Sequence, residues 1–500
     1  MKKFKRNFTR YVDAGLPIIY VDTFEDDRAE EIIREMCREH NRGVIEWSLS
    51  AGAWDLSDGQ SMEISKAEAG LAAALQLIIP DDNLDNKILI LRDAHSYLDK
   101  PEIISALKTI AQGIASGKYD CNVCILSPLV PLPKELENYT TITELDPLAD
   151  DNIKEIIRDF NEMQGIEPPT KDLLDKLVTS LKGLSQTEIY NILSLAISED
   201  GMLTYSDLPH ILEQKQQMVK KSGILEMVRV KETMSDIGGL ENLKKWLLRK
   251  AEIFKQINKA QNFGVDIPKG VLIAGMPGCG KSLTAKAAAK AFDVPLLRLD
   301  MGRLMGKYVG ESEGNMRRAI KLTEASSPCV LWIDELEKAF AGAKGGGSEV
   351  TTRLFGNFLT WMQEKDSLAF VVATANNIDA LPPELLRKGR FDETFYVDLP
   401  NENERKKILE IHIQKRRKDD LNRIDLDKLV DKTEGYCGAD LEGIVREGIE
   451  AAFVSKKPAL TTGDLIDAIN NTHSLSEVMK KDITEMKKKY TELKLKSASK

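Results

Sequence analysis

Residues 271–282 constrain the possible folds of this chain more than any other stretch. They read VLIAGMPGCGKS, an apolar run of strand length followed by the pattern G-x-x-x-x-G-K-[ST]. In this pattern the glycines let backbone N–H groups face phosphates, the lysine reaches the outer phosphate oxygens, and the serine ligates Mg²⁺. Residues 283–290 are rich in helix formers, so a helix N-terminus would face the same phosphates. The stretch therefore predicts an α/β sheet that binds a triphosphate. Its candidate binding residues are Gly275, Met276, Pro277, Gly278, Cys279, Gly280, Lys281, Ser282 and Leu283.

The overall composition is that of a globular protein. A length of 500 residues suggests roughly three domains. The formal charge of −9 disfavours a protein built mainly to coat nucleic acid, and six cysteines provide no disulfide framework. No apolar run approaches membrane-spanning length, and the basic start is not followed by an apolar signal core. We therefore expect no membrane span and a cytoplasmic or equivalent reducing compartment.

Two carboxylates follow a second apolar strand, about 50 residues after the phosphate loop. Residues 330–333 read VLWI and are followed by Asp334 and Glu335. Ligands of open α/β sheets bind at the carboxyl ends of the strands, where these two side chains would lie. Asp334 can hold Mg²⁺, usually through water, and Glu335 can polarise an attacking water. The pair therefore favours hydrolysis over nucleotide binding alone.

The first 220 residues alternate predicted strands and helices, which indicates a parallel, doubly wound sheet. The predicted strands are 17–21, 43–47, 87–93 and 122–126, and the predicted helices are 26–40, 64–79 and 101–116. The segment after the first strand, residues 22–27, contains neither a glycine nor a Lys-Ser pair. This half of the chain therefore lacks a phosphate loop.

The two halves of the chain share short matching segments in the same order. The matches pair residues 132–136 with 381–385, 183–189 with 435–441, and 203–208 with 460–465. Three matches in register favour an internal duplication over chance similarity. In this comparison Asn138 stands where the second half has Arg387.

Several motifs occur in a fixed order along the second half. They are Asp236–Leu240 (DIGGL), the phosphate loop, Tyr308–Glu313 (YVGESE), Asp334–Glu335, Asn376, Arg387–Asp392 (RKGRFD) and Gly438–Asp440 (GAD). Over residues 236–475 the chain resembles the AAA ATPases of the NSF, FtsH and proteasomal-ATPase clade. Its whole layout resembles the poorly characterised AAA family encoded as an open reading frame in algal chloroplast genomes and in cyanobacteria.

The resemblance implies a P-loop NTPase (AAA+) fold, in which a parallel α/β sheet carries a helical lid. A degenerate ATPase-like α/β domain without a phosphate loop would precede it. The predicted domains are 1–220 for the degenerate domain with its own lid, 221–235 for a linker, 236–400 for the large nucleotide-binding subdomain, 401–475 for the lid and 476–500 for a basic tail. We expect the tail to be a solvated helix or a frayed end, with an acidic partner or nucleic acid as the alternative.

The resemblance also implies roles for residues outside the loop. Those at family positions around the nucleotide are Ile237, Gly238, Ile408, His412, Gly438 and Ala439. Ile408 and His412 stand four apart on one helical face and match positions that contact adenine and ribose. Asn376 resembles the first sensor residue, which orients the attacking water beside Glu335.

Two further groups imply a ring and a protein client. Arg387 and Arg390 resemble arginine fingers, which reach the γ-phosphate bound by a neighbouring subunit. The segment Lys307, Tyr308, Val309 and Gly310 matches the pore loop that grips peptide in this clade, with residues 342–348 as a second pore loop. The implied assembly is a homo-oligomer, a hexameric ring.

The leading interpretation is an oligomeric ATPase that uses ATP and Mg²⁺ to remodel or thread protein clients. The alternative is an ATP-switched regulatory or scaffold protein that acts through residues 1–220. A third class, a nucleic-acid remodeller, is poorly supported by the acidic charge. The expected location is the cytoplasm, or the plastid stroma if the chain is of algal origin.

Overall fold

A computed structural model describes residues 2–57, 61–79, 84–128, 130–198, 201–221, 223–304, 311–340, 349–387 and 389–500. The chain forms two compact units, Met1–Leu208 and Pro209–Lys500. Each unit contains its own central sheet and its own hydrophobic cores. The first is called unit 1 and the second unit 2.

Unit 1 combines a sheet with a small group of helices. Its strands are β1 (Ile18–Asp22), β2 (Gly43–Ser48), β3 (Gly52–Asp55), β4 (Met62–Ser65), β5 (Lys87–Arg92), β6 (Cys121–Ser127) and β7 (Thr140–Glu144). Its helices are α1 (Lys2–Asp13), α2 (Asp26–Glu39), α3 (Gly70–Ile78), α4 (Pro101–Ala115), α5 (Lys134–Glu137), α6 (Asp150–Gln164), α7 (Lys171–Leu181) and α8 (Gln186–Ala196). A ninth helix, α9 (Leu208–Lys221), leads out of the unit.

The strands of unit 1 are ordered β4-β3-β2-β5-β6-β1-β7. Strands β2, β5, β6, β1 and β7 are parallel, as predicted, whereas β2, β3 and β4 form an antiparallel extension. The prediction of one helix over 64–79 is therefore wrong, because its first residues form β4. Gly52 permits this hairpin, since a Cβ there would lie 2.2 Å from the carbonyl oxygen of Ser65.

Unit 2 contains a second sheet and a longer set of helices. Its strands are β8 (Leu225–Val228), β9 (Gly270–Gly275), β10 (Leu296–Leu299), β11 (Cys329–Ile333), β12 (Ala369–Ala375), β13 (Glu393–Val397) and β14 (Lys496–Ser497). Its helices are α10 (Glu241–Lys255), α11 (Ile257–Asn262), α12 (Lys281–Phe292), α13 (Met301–Leu304), α14 (Glu311–Ala325), α15 (Leu336–Phe340), α16 (Glu349–Glu364), α17 (Glu402–Arg417), α18 (Leu426–Asp431), α19 (Gly438–Val454), α20 (Thr462–Asn470), α21 (Leu475–Val478) and α22 (Lys480–Glu492).

The sheet of unit 2 is ordered β14-β13-β9-β12-β11-β10-β8, and only β8 runs antiparallel to its neighbour. Helices α10 and α12 pack on one face, where Trp246, Phe292 and Phe370 form an aromatic cluster. Helices α14 and α16 contribute to the apolar core on the other face. Strands β9, β11 and β12 are buried along their whole length, as apolar runs in parallel sheets usually are.

Both units arrange their five main parallel strands in the same order. Across the sheet of unit 1 these strands lie in the order β2-β5-β6-β1-β7, and across the sheet of unit 2 in the order β10-β11-β12-β9-β13. In both sheets the order is therefore second, third, fourth, first and fifth strand along the chain. This shared topology supports the internal duplication that the sequence matches suggest. The predicted fold class is confirmed: a parallel α/β sheet carries a helical lid and follows an N-terminal α/β domain.

The helices after β13 form the lid, whose separate core joins α17, α18, α19 and α20. The chain then returns to the sheet through α22 and β14, which pairs in parallel with β13. The expected helix is present as α22, but the expectation of a free, solvated end for residues 476–500 is wrong. Tyr490 and Ala498 are buried, and this apolar contact holds the lysine-rich segment against the sheet.

Candidate nucleotide site

The phosphate loop leaves β9 at a position that only glycine can occupy. Gly275 has φ +147°, and a Cβ there would lie 2.0 Å from the carbonyl oxygen of Val397 on the neighbouring strand β13. The next residue, Met276, donates its N–H to the same carbonyl at 3.0 Å. The loop ends at Gly280, which has φ +86° and directly precedes the first residue of α12. A Cβ on Gly280 would meet no heavy atom within 4 Å, so the helix N-terminus is open on this side.

Lys281 is held beneath the loop by two backbone carbonyls. Its Nζ donates to the oxygens of Gly275 at 2.9 Å and Met276 at 2.7 Å. The side chain is buried, and burial lowers the pKa of its ammonium group. Its direct partners are neutral carbonyls rather than carboxylates, so this buried ammonium favours an anionic ligand.

The carboxylate of Asp334 lies beside the hydroxyl that follows Lys281. Ser282 Oγ donates to Asp334 Oδ1 at 3.2 Å, and Thr374 Oγ1 donates to the same oxygen at 2.6 Å. Thr374 Oγ1 also accepts the N–H of Glu335 at 3.1 Å. One threonine at the end of β12 therefore orients both acidic residues at the end of β11.

Glu335 is turned toward the polar residue at the end of the adjacent strand. It has φ +50°, in the left-handed region that side chains other than glycine rarely adopt. Its Oε1 accepts a hydrogen bond from Asn376 Nδ2 at 3.1 Å, and its Oε2 lies 2.5 Å from Lys338 Nζ. The hydrogen bond to Glu335 raises the pKa of Lys338. Asn376 is fixed in turn, because its N–H donates to Glu337 Oε1 at 3.0 Å.

The lid and the segment before α10 form the other side of the site. Gly238 packs against Ile408, since a Cβ on Gly238 would lie 2.5 Å from Ile408 Cγ1. The N–H of Ala439, in the first turn of α19, donates to the carbonyl of Gly278 at 2.9 Å and ties the lid to the phosphate loop. His412 Nδ1 lies 3.2 Å from Arg416 Nη1. Burial lowers the pKa of the His412 imidazole.

These elements enclose a cavity of about 470 Å³. Of the predicted site residues it is lined by Ile237, Gly238, Pro277, Gly278, Cys279, Gly280, Lys281, Ser282, Leu283, Asp334, Glu335, Asn376, Ile408, His412, Gly438 and Ala439. Gly275 and Met276 do not line the cavity, but they supply the carbonyls that bind Lys281.

The sequence interpretation did not select eight further residues that line the cavity: Asp236, Leu240, Thr374, Asp398, Pro400, Glu404, Ile411 and Glu442. Asp236 and Leu240 belong to the motif Asp236–Leu240 noted in the sequence, and two others carried a signal of a different kind. Thr374 and Asp398 are polar residues at or just after the carboxyl ends of apolar strands, where ligands of such sheets bind.

The candidate arginine fingers lie apart from this cavity. Arg387 is exposed and Arg390 is half-buried, with Nη1 donating to the carbonyl of Glu384, and neither lines the cavity of its own chain. The predicted pore loop, Lys307, Tyr308, Val309 and Gly310, lies outside the described residues. The second predicted pore loop, residues 342–348, lies outside them as well.

The residues of the site fit a magnesium nucleotide. The cavity volume falls within the usual range of small-ligand sites, about 300–1,000 Å³. Ser282 and Asp334 supply the hydroxyl and carboxylate oxygens that Mg²⁺ prefers. Across the part of the chain that the structure describes, no group of three or more His, Cys, Asp or Glu residues could hold a metal ion. Phosphate oxygens and water molecules would therefore complete the coordination of Mg²⁺.

Among the described residues, no helix has both the length and the apolar character that crossing a bilayer requires.

Four family models match successive parts of the chain. Residues 4–145 match the N-terminal domain of SpoVK-like AAA ATPases, and residues 151–222 match their second domain. Residues 271–399 match the ATPase family associated with various cellular activities (AAA), and residues 423–467 match the AAA+ lid domain. The matches therefore cover both units.

Curated relatives share almost the entire length. An uncharacterized AAA domain-containing protein ycf46 from Guillardia theta is 35% identical over 97% of this chain and 94% of its own length. The ycf46 protein of Pyropia yezoensis is 36% identical over 93% of each chain. More distant matches cover about half of this chain. A cell division cycle protein 48 homolog of Archaeoglobus fulgidus is 33% identical over 54% of this chain and 37% of its own. The ATP-dependent zinc metalloprotease FtsH of Thermotoga maritima is 34% identical over 48% and 40%.

Proposed function

Because the chain belongs to the AAA ATPase family, together with the ycf46 proteins, we propose that it binds ATP with Mg²⁺, hydrolyses it and remodels protein clients. One observation carries the proposal. The phosphate loop, Asp334 and Glu335 face a single cavity, and Asn376 donates to Glu335 there at 3.1 Å. This arrangement provides charge for phosphates and a carboxylate for an attacking water.

In the proposed complex the triphosphate lies at the N-terminus of α12. The N–H groups of the loop and the ammonium of Lys281 bind its oxygens, with the helix dipole contributing in the same direction. Bringing Lys281 to the phosphates requires it to exchange its two carbonyl partners for phosphate oxygens. Adenine and ribose would lie between the segment Ile237–Gly238 and the lid residues Ile408, His412, Gly438 and Ala439.

Hydrolysis is assigned to the opposite side of the phosphates. Glu335 would orient and polarise the attacking water, and the amide of Asn376 would hold the carboxylate in place. Mg²⁺, when bound by Ser282 and Asp334, would neutralise charge that develops on the phosphate oxygens. Thr374 would keep the two carboxylates in fixed relation through its single hydroxyl.

The proposed assembly is a hexameric ring, in which Arg387 and Arg390 serve the site of the next subunit. Their position outside the cavity of their own chain is compatible with such a role. Fingers of this kind raise turnover by about 10³–10⁵. Clients would be gripped by Lys307, Tyr308, Val309 and Gly310. The likeness to the ATP-dependent zinc metalloprotease FtsH supports the proposed work on proteins.

The alternative, an ATP-switched regulatory or scaffold protein, draws on the size of unit 1. That unit has its own sheet and cores and accounts for residues 1–208. In this case ATP would control assembly, and unit 1 would bind the partner. The two functions differ in whether Tyr308 is needed after ATP binding.

The proposal is tested by measuring phosphate release from ATP by the purified full-length chain, with and without Mg²⁺. Mass measurement in solution with a slowly hydrolysed ATP analogue tests the ring in the same preparation. Mg²⁺-dependent release and a six-subunit mass are the expected results. Absence of phosphate release at saturating Mg-ATP would contradict the hydrolytic function. A monomeric mass both with and without the ATP analogue would contradict a site shared between subunits.

A further inference from the structure

The last segment of the chain packs against the back of the candidate site. Residues 483–499, here called the C-terminal clamp, comprise most of α22 and the strand β14. Tyr490 is 2% exposed, and its ring stacks on Tyr396 of β13 with centroids 5.4 Å apart. Two lysines of α22 pair with acidic residues of the sheet edge: Lys487 with Asp398 at 2.9 Å, and Lys489 with Asp379.

The buried hydroxyl of Tyr490 lies within electrostatic range of Glu337, the residue that fixes Asn376. Tyr490 Oη and Glu337 Oε2 are both buried and, among the described residues, both lack a hydrogen-bond partner. Glu337 uses its other oxygen, Oε1, to accept the N–H of Asn376. Burial, with smaller contributions from Asp379, Asp398 and Glu337, raises the pKa of Tyr490. The hydroxyl therefore stays protonated at neutral pH, which leaves it an unpaired donor among the described residues, as Glu337 Oε2 is an unpaired acceptor.

A second contact reaches the nucleotide-base side of the site. Ala498 donates its N–H to the carbonyl of Tyr396 at 2.9 Å and is fully buried. Its own carbonyl accepts the N–H groups of Asn242 at 3.0 Å and Leu243 at 3.1 Å. These N–H groups belong to the first turn of α10, where a helix supplies no internal acceptors.

The first turn of α10 continues directly from the segment that lines the cavity. Leu240 precedes the helix with φ +56°, and its N–H donates to Glu404 of the lid at 2.9 Å. Asn242 adds a side-chain hydrogen bond to the carbonyl of Ser499 at 2.6 Å. The end of the chain thereby fixes the point at which residues 237–240 enter α10.

From these contacts we propose that the C-terminal clamp is a positioning element of the nucleotide site. In this proposal Tyr490 Oη donates to Glu337 Oε2 and so supports the Glu337–Asn376 hydrogen bond beside Glu335, and Ala498 supports the segment assigned to the base. The inference rests on the proposed ATPase function. It assigns different consequences to the two ends of the clamp: loss of the Tyr490 hydroxyl lowers kcat, whereas loss of β14 raises KM for ATP.

The test compares two variants with one control in the full ATPase assay. Tyr490→Phe keeps the ring and removes only the hydroxyl, so kcat should fall about fivefold with KM unchanged. A chain ending at Lys494 lacks β14, so KM for ATP should rise about tenfold with a smaller change in kcat. Lys488→Met is the control, because Lys488 is exposed and forms no ion pair among the described residues. It should match the wild type.

A double-mutant comparison separates positioning from general stability. If Tyr490 acts through Glu337, Tyr490→Phe should lower kcat much less in a Glu337→Gln background than in the wild type. A variant Tyr490→Phe with unchanged kcat and a lower Tm would overturn the inference, as would a folded truncated chain with unchanged KM. If the wild type itself releases no phosphate, the proposed function fails. The clamp is then tested by the Kd of each variant for a fluorescent ATP analogue, and equal Kd values for wild type and truncated chain would overturn it.

Discussion

Asp93 in unit 1 and Glu335 in unit 2 adopt the same left-handed backbone conformation at the same place in the fold. Their φ angles are +51° and +50°, and each is the residue from which a short helical turn begins after the third main parallel strand. The structural pairing places Arg92 at the position of Asp334, so unit 1 has a guanidinium where unit 2 has its candidate Mg²⁺ ligand.

The two units also differ at the end of their first main strand. Three residues, 23–25, join β1 to α2, whereas five residues, 276–280, join β9 to α12. In unit 1 the carboxylate of Glu25 accepts the N–H of Gln186 at 2.9 Å and pairs with Arg28 at 2.5 Å. The corresponding helix in unit 2, α19, donates instead to the loop carbonyl of Gly278. In unit 1 the side chain of Glu25 therefore occupies the N-terminus of α8. In unit 2 the N-terminus of the equivalent helix, α19, faces the phosphate loop instead.

We predict that unit 1 binds no ATP. Glu25, Asp26 and Asp27 would lie near a triphosphate with no loop lysine to offset their charge. Calorimetry with Mg-ATP should therefore show no binding to the fragment 1–220 or to the full-length Lys281→Ala variant, whereas the wild type binds. Micromolar affinity in either sample would contradict this assignment.

The Glu335→Gln variant should bind ATP and accumulate as rings while hydrolysing at least about a hundredfold more slowly. The amide keeps the size of the side chain but cannot accept a proton from water. Lys281→Ala should fail to bind, because that residue contacts the phosphates. Phosphate release and binding of a fluorescent ATP analogue distinguish the two variants, and equal turnover of Glu335→Gln and wild type would exclude Glu335 as the base.

Thr374→Val should slow hydrolysis about tenfold with little change in ATP affinity. Valine keeps the shape of threonine but removes the hydroxyl that orients Asp334 and Glu335. Thr374→Ser retains the hydroxyl and serves as the matched control. Equal kcat in the valine and serine variants would mean that the two carboxylates hold their geometry without this bond.

Mixed rings test whether sites are shared between subunits. Arg387→Ala and Lys281→Ala subunits should each be inactive alone, and a mixture should recover part of the hydrolysis, because an intact loop can meet an intact finger. Phosphate release is measured across mixing ratios after co-assembly is demonstrated. The experiment is repeated with Arg390→Ala, since the second arginine can compensate. Mixtures that never exceed either parent would argue against fingers supplied by a neighbour.

Tyr308→Ala separates a remodeller from an ATP switch. The variant should keep its basal ATPase rate, since Tyr308 is assigned to client contact, and should lose client-stimulated hydrolysis and client unfolding. Tyr308→Phe keeps an aromatic ring and should retain both. Normal client processing by Tyr308→Ala would favour the regulatory function over threading.

Much of the site could be predicted because its residues follow short apolar strands. The runs at 271–274 and 330–333 end at the same edge of the sheet, so the phosphate loop and the pair Asp334–Glu335 could be expected to meet. The resemblance to the AAA ATPases is confirmed by relatives that match nearly the whole chain. Domain boundaries and residue roles stay predictions.

Other features depend on contacts between segments that are distant in the sequence. The hairpin β3–β4 replaced the start of a predicted helix, since Ser65 pairs with Ala53 of β3. The contact of Thr374 with Asp334 and Glu335 depends on the pairing of β12 with β11, which the sequence does not show. The sequence of the tail predicts a lysine-rich helix. Only the tertiary structure shows that Tyr490 stacks on Tyr396 and that Ala498 binds the first turn of α10.

The sequence alone determined the phosphate loop, the paired carboxylates and the family, because each rests on local spacing that survives without knowledge of the fold. The tertiary structure decided which residues support them. The left-handed residues Asp93 and Glu335 place Arg92 at the position that Asp334 has in unit 2, and strand addition by β14 joins an apparently free end to the sheet. Such pairings cost chain entropy over hundreds of residues and are stabilised only by the burial that the complete sheet provides, so no local pattern encodes them.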